Sequence, residues 1–559
     1  MTKKILCAFV VIAAAMITSA KVFSIGPNLA LFRRERDIKA PVDYGSGPGR
    51  GIGFARPNLV LGRTPPIPKA AAKAALPIPT GGDHYQGYFA PPVPWPIIPI
   101  HMALLPDGRV MTYGTDQSGA QGAQFVYDIW DPKLGTGANA HTVLPNTTPG
   151  QTDIFCSAGS LLGSGFIDGT NGSGQLLIAG GDLTVGGVRN YSSNNVTIFN
   201  PKNNTLAASG KMNYARWYAS MITLRNGDKL VLGGQLSPGV AEPTPEVYNA
   251  ASGWRTLPGI SMNSGNFEWV YPRGFVGFDG AVYLLQHDGG IFRLTTDGAG
   301  TMTDTGARLA PGFFYYPTVM YAPFKVLSVR SNQIVQDVDL STNPPVVTNL
   351  PNISKDRLWA NGTLLADGGV LVTGGSGVYN QFTDVDYQAV YLDPGPGGAL
   401  ASASASIPRL YHSATLLLPD GSVLTGGGGA PGPVNELNAE IYYPYYLYLN
   451  DGSGSPAPRP TIVSAPPSTA KLGQQFSMTV GSNDQISYIN LIRMGMTTHS
   501  FNSDQRGTFL SFVQNGATIT VSLANSPETT PPGYYMLFVF NTAFVPAMAP
   551  IISVLQAVN

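Results

Sequence analysis

The sequence predicts an all-β protein: a seven-bladed kelch-type β-propeller followed by a C-terminal immunoglobulin-like β-sandwich. A hairpin unit recurs along the chain, made of an apolar strand, an Asp-Gly or Asn-Gly turn and a second apolar strand that often ends in Gly-Gly. The pairs beginning at Gly180, Gly233, Gly374 and Gly426 lie about 50 residues apart or near multiples of that, which is the kelch period. Gly (67) and Pro (47) make up about a fifth of the chain and only 12% of residues are charged, so turns rather than helices dominate.

Residues 1–20 run from Lys3-Lys4 through an apolar stretch, Ile5 to Ile17, into Thr18-Ser19-Ala20, the order of a secretory signal. That core is too short to span a bilayer, and no later stretch is apolar for the roughly 18 residues a transmembrane helix requires. An exported chain is expected. Residues 21–80 mix Gly, Pro and basic residues without a sustained period and read as a leader or linker.

Residues 81–450 carry the blades. The hairpins are Met102-Ala-Leu-Leu-Pro-Asp-Gly-Arg-Val-Met, the strand Gln175 to Gly181, Met221 to Gly234 around Asn226-Gly227, Phe278-Asp-Gly to Leu285, Thr363 to Gly375 and Thr415 to Gly427, with Tyr321 to Leu327 as a degenerate seventh. Later strands close in an aromatic and a turn, as in Val196-Thr-Ile-Phe-Asn-Pro and Ala439-Glu-Ile-Tyr-Tyr-Pro. The Gly, Ser and Pro of Asn450 to Pro460 mark a boundary, and residues 456–559 show period-2 strands such as Phe476-Ser-Met-Thr-Val and Tyr535 to Phe540, the pattern of a sandwich.

The formal net charge is zero and there is no basic cluster, so no nucleic acid or anionic membrane is expected as a partner. Of the two cysteines, Cys7 lies in the signal, which leaves Cys156 alone and excludes an intrachain disulfide. A buried inert thiol, an intermolecular bond and another chemistry all stay open at this point.

Function on such a scaffold must be argued from particular side chains. Four places stand out: Asp153-Ile-Phe-Cys156, Ala215-Arg-Trp-Tyr218, Arg409-Leu-Tyr411-His412-Ser413, and Thr498-His499-Ser-Phe-Asn-Ser-Asp-Gln-Arg506. Tyr218 and Tyr411-His412 precede the innermost hairpin of their blades, and innermost strands line the axis. Adjacent residues on a regular strand face opposite ways, so Tyr411 and His412 meet at one centre only if the chain kinks. Spacing alone leaves packed core residues and metal ligands both open.

Taken together, in this order and in these domains, the motifs resemble those of the copper radical oxidases, the galactose and glyoxal oxidase family, from about residue 95 to the end. The resemblance implies one copper ion held by Tyr218, Tyr411, His412 and His499, and a redox cofactor made by a thioether between Cys156 and Tyr218. It implies two-electron oxidation of a small aldehyde or alcohol, with Tyr411 taking the hydroxyl proton and dioxygen leaving as hydrogen peroxide. Imidazole and oxygen ligands suit Cu(II), whereas zinc has no redox chemistry.

Two departures point toward glyoxal oxidases. Galactose oxidases carry a tryptophan soon after the Gly-Gly of the Tyr218 blade, where this chain reads Gln235-Leu236. Residues 21–80 are also too few and too simple for the sugar-binding domain that precedes their propeller. Trp217 is expected to point away from Tyr218, which leaves Trp359 or Phe313-Phe-Tyr-Tyr316 as aromatic neighbours. His84, His101, His141 and His287 lie outside these motifs and are read as ordinary structural histidines. The rival readings are an alcohol or galactose oxidase with the same cofactor, and a non-enzymatic kelch propeller that binds a protein or glycan.

Overall fold

The computed structural model describes residues 84–163, 174–262, 269–395 and 397–556. The expected signal, the leader and Cys7 lie outside them. Among the described residues there is no α-helix, only short 3₁₀ turns between strands.

Seven blades follow one another as antiparallel meanders. Their innermost hairpins are His101–Leu104 with Val110–Tyr113, Ala158–Leu161 with Leu176–Ala179, the end of Thr205–Thr223 with Lys229–Ser237, Arg273–Val276 with Val282–Leu285, Thr318–Ala322 with Lys325–Val329, Asn361–Leu364 with Val370–Thr373, and Ser413–Leu417 with Val423–Gly427. The degenerate Tyr321 to Leu327 copy is thus a hairpin like the others. These strands are buried at nearly every position because both faces pack against neighbouring blades, so they read as continuous apolar runs rather than as alternation.

The Asp-Gly turns work as their chemistry predicts. Asp107, Asp367 and Asp420 each accept a hydrogen bond from the N–H two residues on, at 3.1, 2.9 and 2.9 Å. Gly108 and Gly421 take φ of +88° and +85°, where a side chain would be strained. The chain closes its ring by pairing Tyr88–Phe89 and Val93–Pro94 with the strand Asn438–Tyr443 of the last blade.

A buried arginine repeats at the head of several blades. Arg216 donates to the Gly233 carbonyl at 2.7 Å and pairs with Glu246 at 3.2 Å; Arg409 donates to the Gly427 carbonyl at 3.0 Å and pairs with Glu440 at 3.1 Å. Each therefore ties the segment before the first strand to the Gly-Gly end of the second.

The C-terminal part forms an eight-stranded arrangement in two layers around a core of its own, including Met478, Ile489, Leu491, Ile519, Val521 and Leu537. One excursion leaves it. The hairpin Met496–Thr498 and Phe501–Asn502 pairs with the innermost strand of blade 1, Met102 against Thr497 and Ala103 against Met496. Room for it is made at Gly159 of blade 2, where a Cβ would stand 2.3 Å from the Met496 sulfur. Gln505 binds blade 6 as a peptide would, accepting from Leu364 N–H at 3.0 Å and donating to Leu364 O at 3.2 Å. Segment 496–506 thus touches blades on opposite sides of the ring, which places it on the propeller axis.

Asp504 fastens this segment. It accepts hydrogen bonds from Ser160 and, at 2.5 Å, from Thr223, while Lys229 donates to Ser160 Oγ, Leu161 O and Thr223 Oγ1 at 2.8–2.9 Å. Burial alone would raise the Asp504 carboxyl; the charges of Lys229 and Arg493 outweigh it and hold the group below its usual range. Its stabilisation is therefore present above the ordinary carboxylate range and is lost as pH falls through the lowered value. Asp504→Asn strands buried cations, and we expect a loss of about 3–5 kcal/mol, read as a clear drop in the urea midpoint at neutral pH. A midpoint equal to wild type would show that the charge is not needed.

Candidate metal centre

Five side chains from four places in the sequence converge at the axis. Cys156 comes from the turn before blade 2, Tyr218 from the kink in strand Thr205–Thr223, Tyr411 and His412 from the turn before blade 7, and His499 from the hairpin tip. The Tyr218 and Tyr411 hydroxyls are hydrogen bonded to each other. Cys156 Sγ lies 3.6 Å from His499 Nε2 and 3.9 Å from His412 Nε2. Cys156, Tyr218, His412 and His499 are buried, and Tyr411 is partly exposed.

The backbone explains how neighbours in sequence share one centre. Cys156, Tyr218, His412 and His499 have φ of +54°, +70°, +68° and +48°, left-handed conformations that cost non-glycine residues about 1–2 kcal/mol each. The kink at His412 turns its ring back onto Tyr411, with centroids 3.6 Å apart, so the opposite-facing rule for a regular strand does not apply. The kink at Tyr218 does the same to Trp217, whose ring meets Tyr218 edge-on at 4.0 Å. The expectation that Trp217 points away is therefore corrected. Trp359 packs instead against Tyr411, at 4.3 Å. At the hairpin tip His499 and Ser500 both have positive φ, as in a type I′ turn.

Both histidines are set to present Nε2. His412 Nδ1–H donates to the Gly429 carbonyl at 2.7 Å, and His499 Nδ1 is hydrogen bonded to the Thr498 hydroxyl at 2.6 Å. Arg273 holds the hairpin tip by donating to His499 O at 3.1 Å. Burial pushes His412 down to about 3, and burial with His412 and His101 nearby holds His499 well below its usual value, so both imidazoles stay neutral at physiological pH. Burial, then the neighbouring Cys156, drives both phenols well above their ordinary value, and burial does the same to the Cys156 thiol. Two neutral imidazoles and two phenols on one centre form a donor set that a divalent cation would complete, since a cation is what turns buried phenols into phenolates.

Sequence reasoning missed two residues here. His101, which lies outside the four motifs, is fully buried beside the centre: one of its ring nitrogens, Cys156 Sγ and a His499 nitrogen lie within 4.8 Å of one another. Tyr271 stacks on His499, with centroids 4.4 Å apart, and its N–H donates to Tyr218 O at 2.7 Å. His141 belongs elsewhere, bound to Asp128 at 2.8 Å, and His287 stacks on Phe313.

Comparison with known proteins finds relatives along most of the chain. Residues 459–554 match the family model of the galactose oxidase-like early set domain. Galactose oxidase of Gibberella zeae is 29% identical over 513 residues, covering 84% of this chain and 71% of the relative. An aldehyde oxidase of Vitis pseudoreticulata is 23% identical over 481 residues, covering 76% of this chain and 87% of the relative. A fungal alcohol oxidase of the AA5 family, solved in complex with copper, shares the fold with a TM-score of 0.73 at 23% identity, over 84% of this chain and 99% of that one. With a shared fold, a C-terminal domain that matches the galactose oxidase-like early set domain and relatives along most of its length, the chain is homologous to galactose oxidases and to aldehyde oxidases of the glyoxal oxidase type.

Proposed function

We propose that the protein is an exported copper radical oxidase that converts small aldehydes, as their hydrates, to carboxylic acids while reducing dioxygen to hydrogen peroxide. The observation that carries this is the convergence of Cys156, Tyr218, Tyr411, His412 and His499 on one buried centre. In this reading residues 1–20 direct export, 21–80 form a leader, 81–450 are the propeller, and 456–559 the domain that donates His499.

Tyr218, Tyr411, His412 and His499 would hold the copper ion, and Cys156 would be joined to the Tyr218 ring by a thioether. Copper and the sulfur-substituted tyrosine would together supply the capacity to accept two electrons. The rest falls to the chain. Thr498 and the Gly429 carbonyl keep both Nε2 atoms facing inward. Tyr411, which is partly exposed and which a bound cation would convert to the phenolate, would take the proton of a substrate hydroxyl at its Oη. Trp217 covers one edge of Tyr218 and Trp359 one side of Tyr411, keeping water from the reacting atoms.

The preference for small hydrated aldehydes rests on what stands around Tyr218. Gln235, at the place of the galactose oxidase tryptophan, is buried and spent on backbone groups: it donates to Asn190 O in the strand Val188–Asn200 and accepts from Gly239 N–H of its own turn, both at 3.0 Å. The competing substrate class, primary alcohols including galactose, is favoured by the 29% identity to a galactose oxidase. Oxygen uptake by the copper-loaded, oxidised protein decides between them. We expect glyoxal or methylglyoxal to turn over at least about tenfold faster, in kcat/KM, than galactose or simple alcohols. Faster galactose turnover would assign the alcohol class, and absence of both copper and peroxide would assign a binding propeller.

A further inference from the structure

Cys156 is held from two sides by its own backbone. Its carbonyl accepts the N–H of Tyr218, the residue its sulfur is proposed to join, at 3.0 Å. Its N–H donates to His101 Nε2 at 3.2 Å. The first bond fixes Cys156 to blade 3 and the second to blade 1. His101 is itself immobilised: it is fully buried, and its ring lies on Tyr113 with centroids 4.4 Å apart and an interplanar angle of 7°. Tyr113 in turn bonds Ser157, the next residue of the turn, through hydroxyls 3.0 Å apart. This stacked pair therefore grips the turn at two successive residues.

A grip is needed because Cys156 sits at φ +54°. A non-glycine residue relaxes out of that conformation unless its surroundings hold it, and such residues persist where function requires them. An N–H of the same turn left without an acceptor in the protein interior would add to the pressure to rearrange. Either change would rotate the Cα–Cβ bond and swing the sulfur away from the Tyr218 ring.

We infer that His101 is the positioning residue for thioether formation: by accepting the Cys156 N–H it holds the thiol sulfur against Tyr218, and it does so without serving as a copper ligand. The inference rests on the function proposed above. In the step concerned, the Cys156 S–H and the C–H beside the Tyr218 hydroxyl are lost and a carbon–sulfur bond forms. The two electrons and two protons pass to dioxygen, giving hydrogen peroxide, with copper required as catalyst.

The test starts from protein produced without copper, so that the thiol is intact. Copper is added in air, and the loss of two hydrogens is followed by intact mass alongside thiol titration in denaturant. His101→Phe keeps a ring against Tyr113 but removes the acceptor; His101→Gln restores one. We expect the Phe variant to cross-link about 10–100-fold more slowly, as misplacement of reacting groups does, and the Gln variant to recover most of the rate. Copper affinity, measured by competition with a chelator, should fall less than the roughly tenfold that even an outer partner's loss brings. Cross-linking of His101→Phe at the wild-type rate would overturn the inference, and so would a loss of copper affinity beyond about a hundredfold, which would make His101 a ligand. Hydrogen exchange at the Cys156 amide of copper-free wild type tests the same bond without a substitution: slow exchange supports it, and exchange as fast as an exposed loop overturns it. A wild-type protein that binds copper but never loses the two hydrogens would sink the functional reading first, and this inference with it.

Discussion

Cys156→Ser should bind copper like wild type and yet lose peroxide production by on the order of a thousandfold or more, equivalent to about 4 kcal/mol of lost transition-state stabilisation. The copper donors in this account are two imidazole nitrogens and two phenols, none of which the substitution touches. What it removes is sulfur. Burial holds the Cys156 thiol well above its usual value, so the free side chain is neither a reactive thiolate nor a charge that the site depends on. In the proposed cofactor its contribution would come only once it is bonded to Tyr218, where sulfur substitution would delocalise an unpaired electron over the ring. A serine hydroxyl forms no such bond. The variant should therefore also lack the radical absorption that this account predicts for oxidised wild type. Activity within about threefold of wild type would mean that Tyr218 acts unmodified.

Loss of His499 should act on binding itself. His499→Ala removes an imidazole whose Nε2 is aimed at the centre by a left-handed turn, the Thr498 hydroxyl and the Arg273 bond to its carbonyl. We expect copper affinity to fall by more than the roughly 10–100-fold that marks loss of an outer partner. A point change is a cleaner probe than deleting residues 456–559. The strand Met496–Thr498 pairs with blade 1, and Asp504 and Gln505 bind blades 2, 3 and 6, so deletion would also remove the plug of the axis. Wild-type copper affinity in His499→Ala would show that the C-terminal domain is structural and that the centre is completed within the propeller.

The blades were legible because each hairpin carries its turn chemistry in plain residues: Asp-Gly at the tight turn and Gly-Gly where the second strand ends. Cys156, Tyr218, Tyr411-His412 and His499 were legible as motifs, and the structure brings them together. Their mutual orientation was not legible, because period-2 reasoning assumes a regular strand. Four of these residues adopt left-handed backbone without being glycine, so no residue type announced the kinks at Tyr218 and His412. Those kinks are what turn Trp217 toward Tyr218 and His412 toward Tyr411.

Trp359 had a signal that went unused. Arg357-Leu-Trp359 repeats the Arg-Xaa-aromatic pattern of Arg216-Trp-Tyr218 and Arg409-Leu-Tyr411, and in each case a buried arginine anchors the aromatic that follows. His101 had a weaker one: like His412, it heads an innermost strand that runs into Leu-Leu-Pro-Asp-Gly. Tyr271 had none: it lies outside the four motifs, just before the strand Arg273–Val276, and meets His499 only where the C-terminal hairpin reaches the axis.

The account's central claim, a copper centre with a Cys156–Tyr218 cofactor, is tested most directly by measuring copper content and intact mass on the same aerobically copper-loaded wild-type sample. The prediction is one copper ion per chain, a mass lower by two hydrogens, no titratable thiol in denaturant, and a cross-linked peptide that reductant does not split. A copper-loaded, oxidised and active protein that still carries a free Cys156 thiol would contradict it.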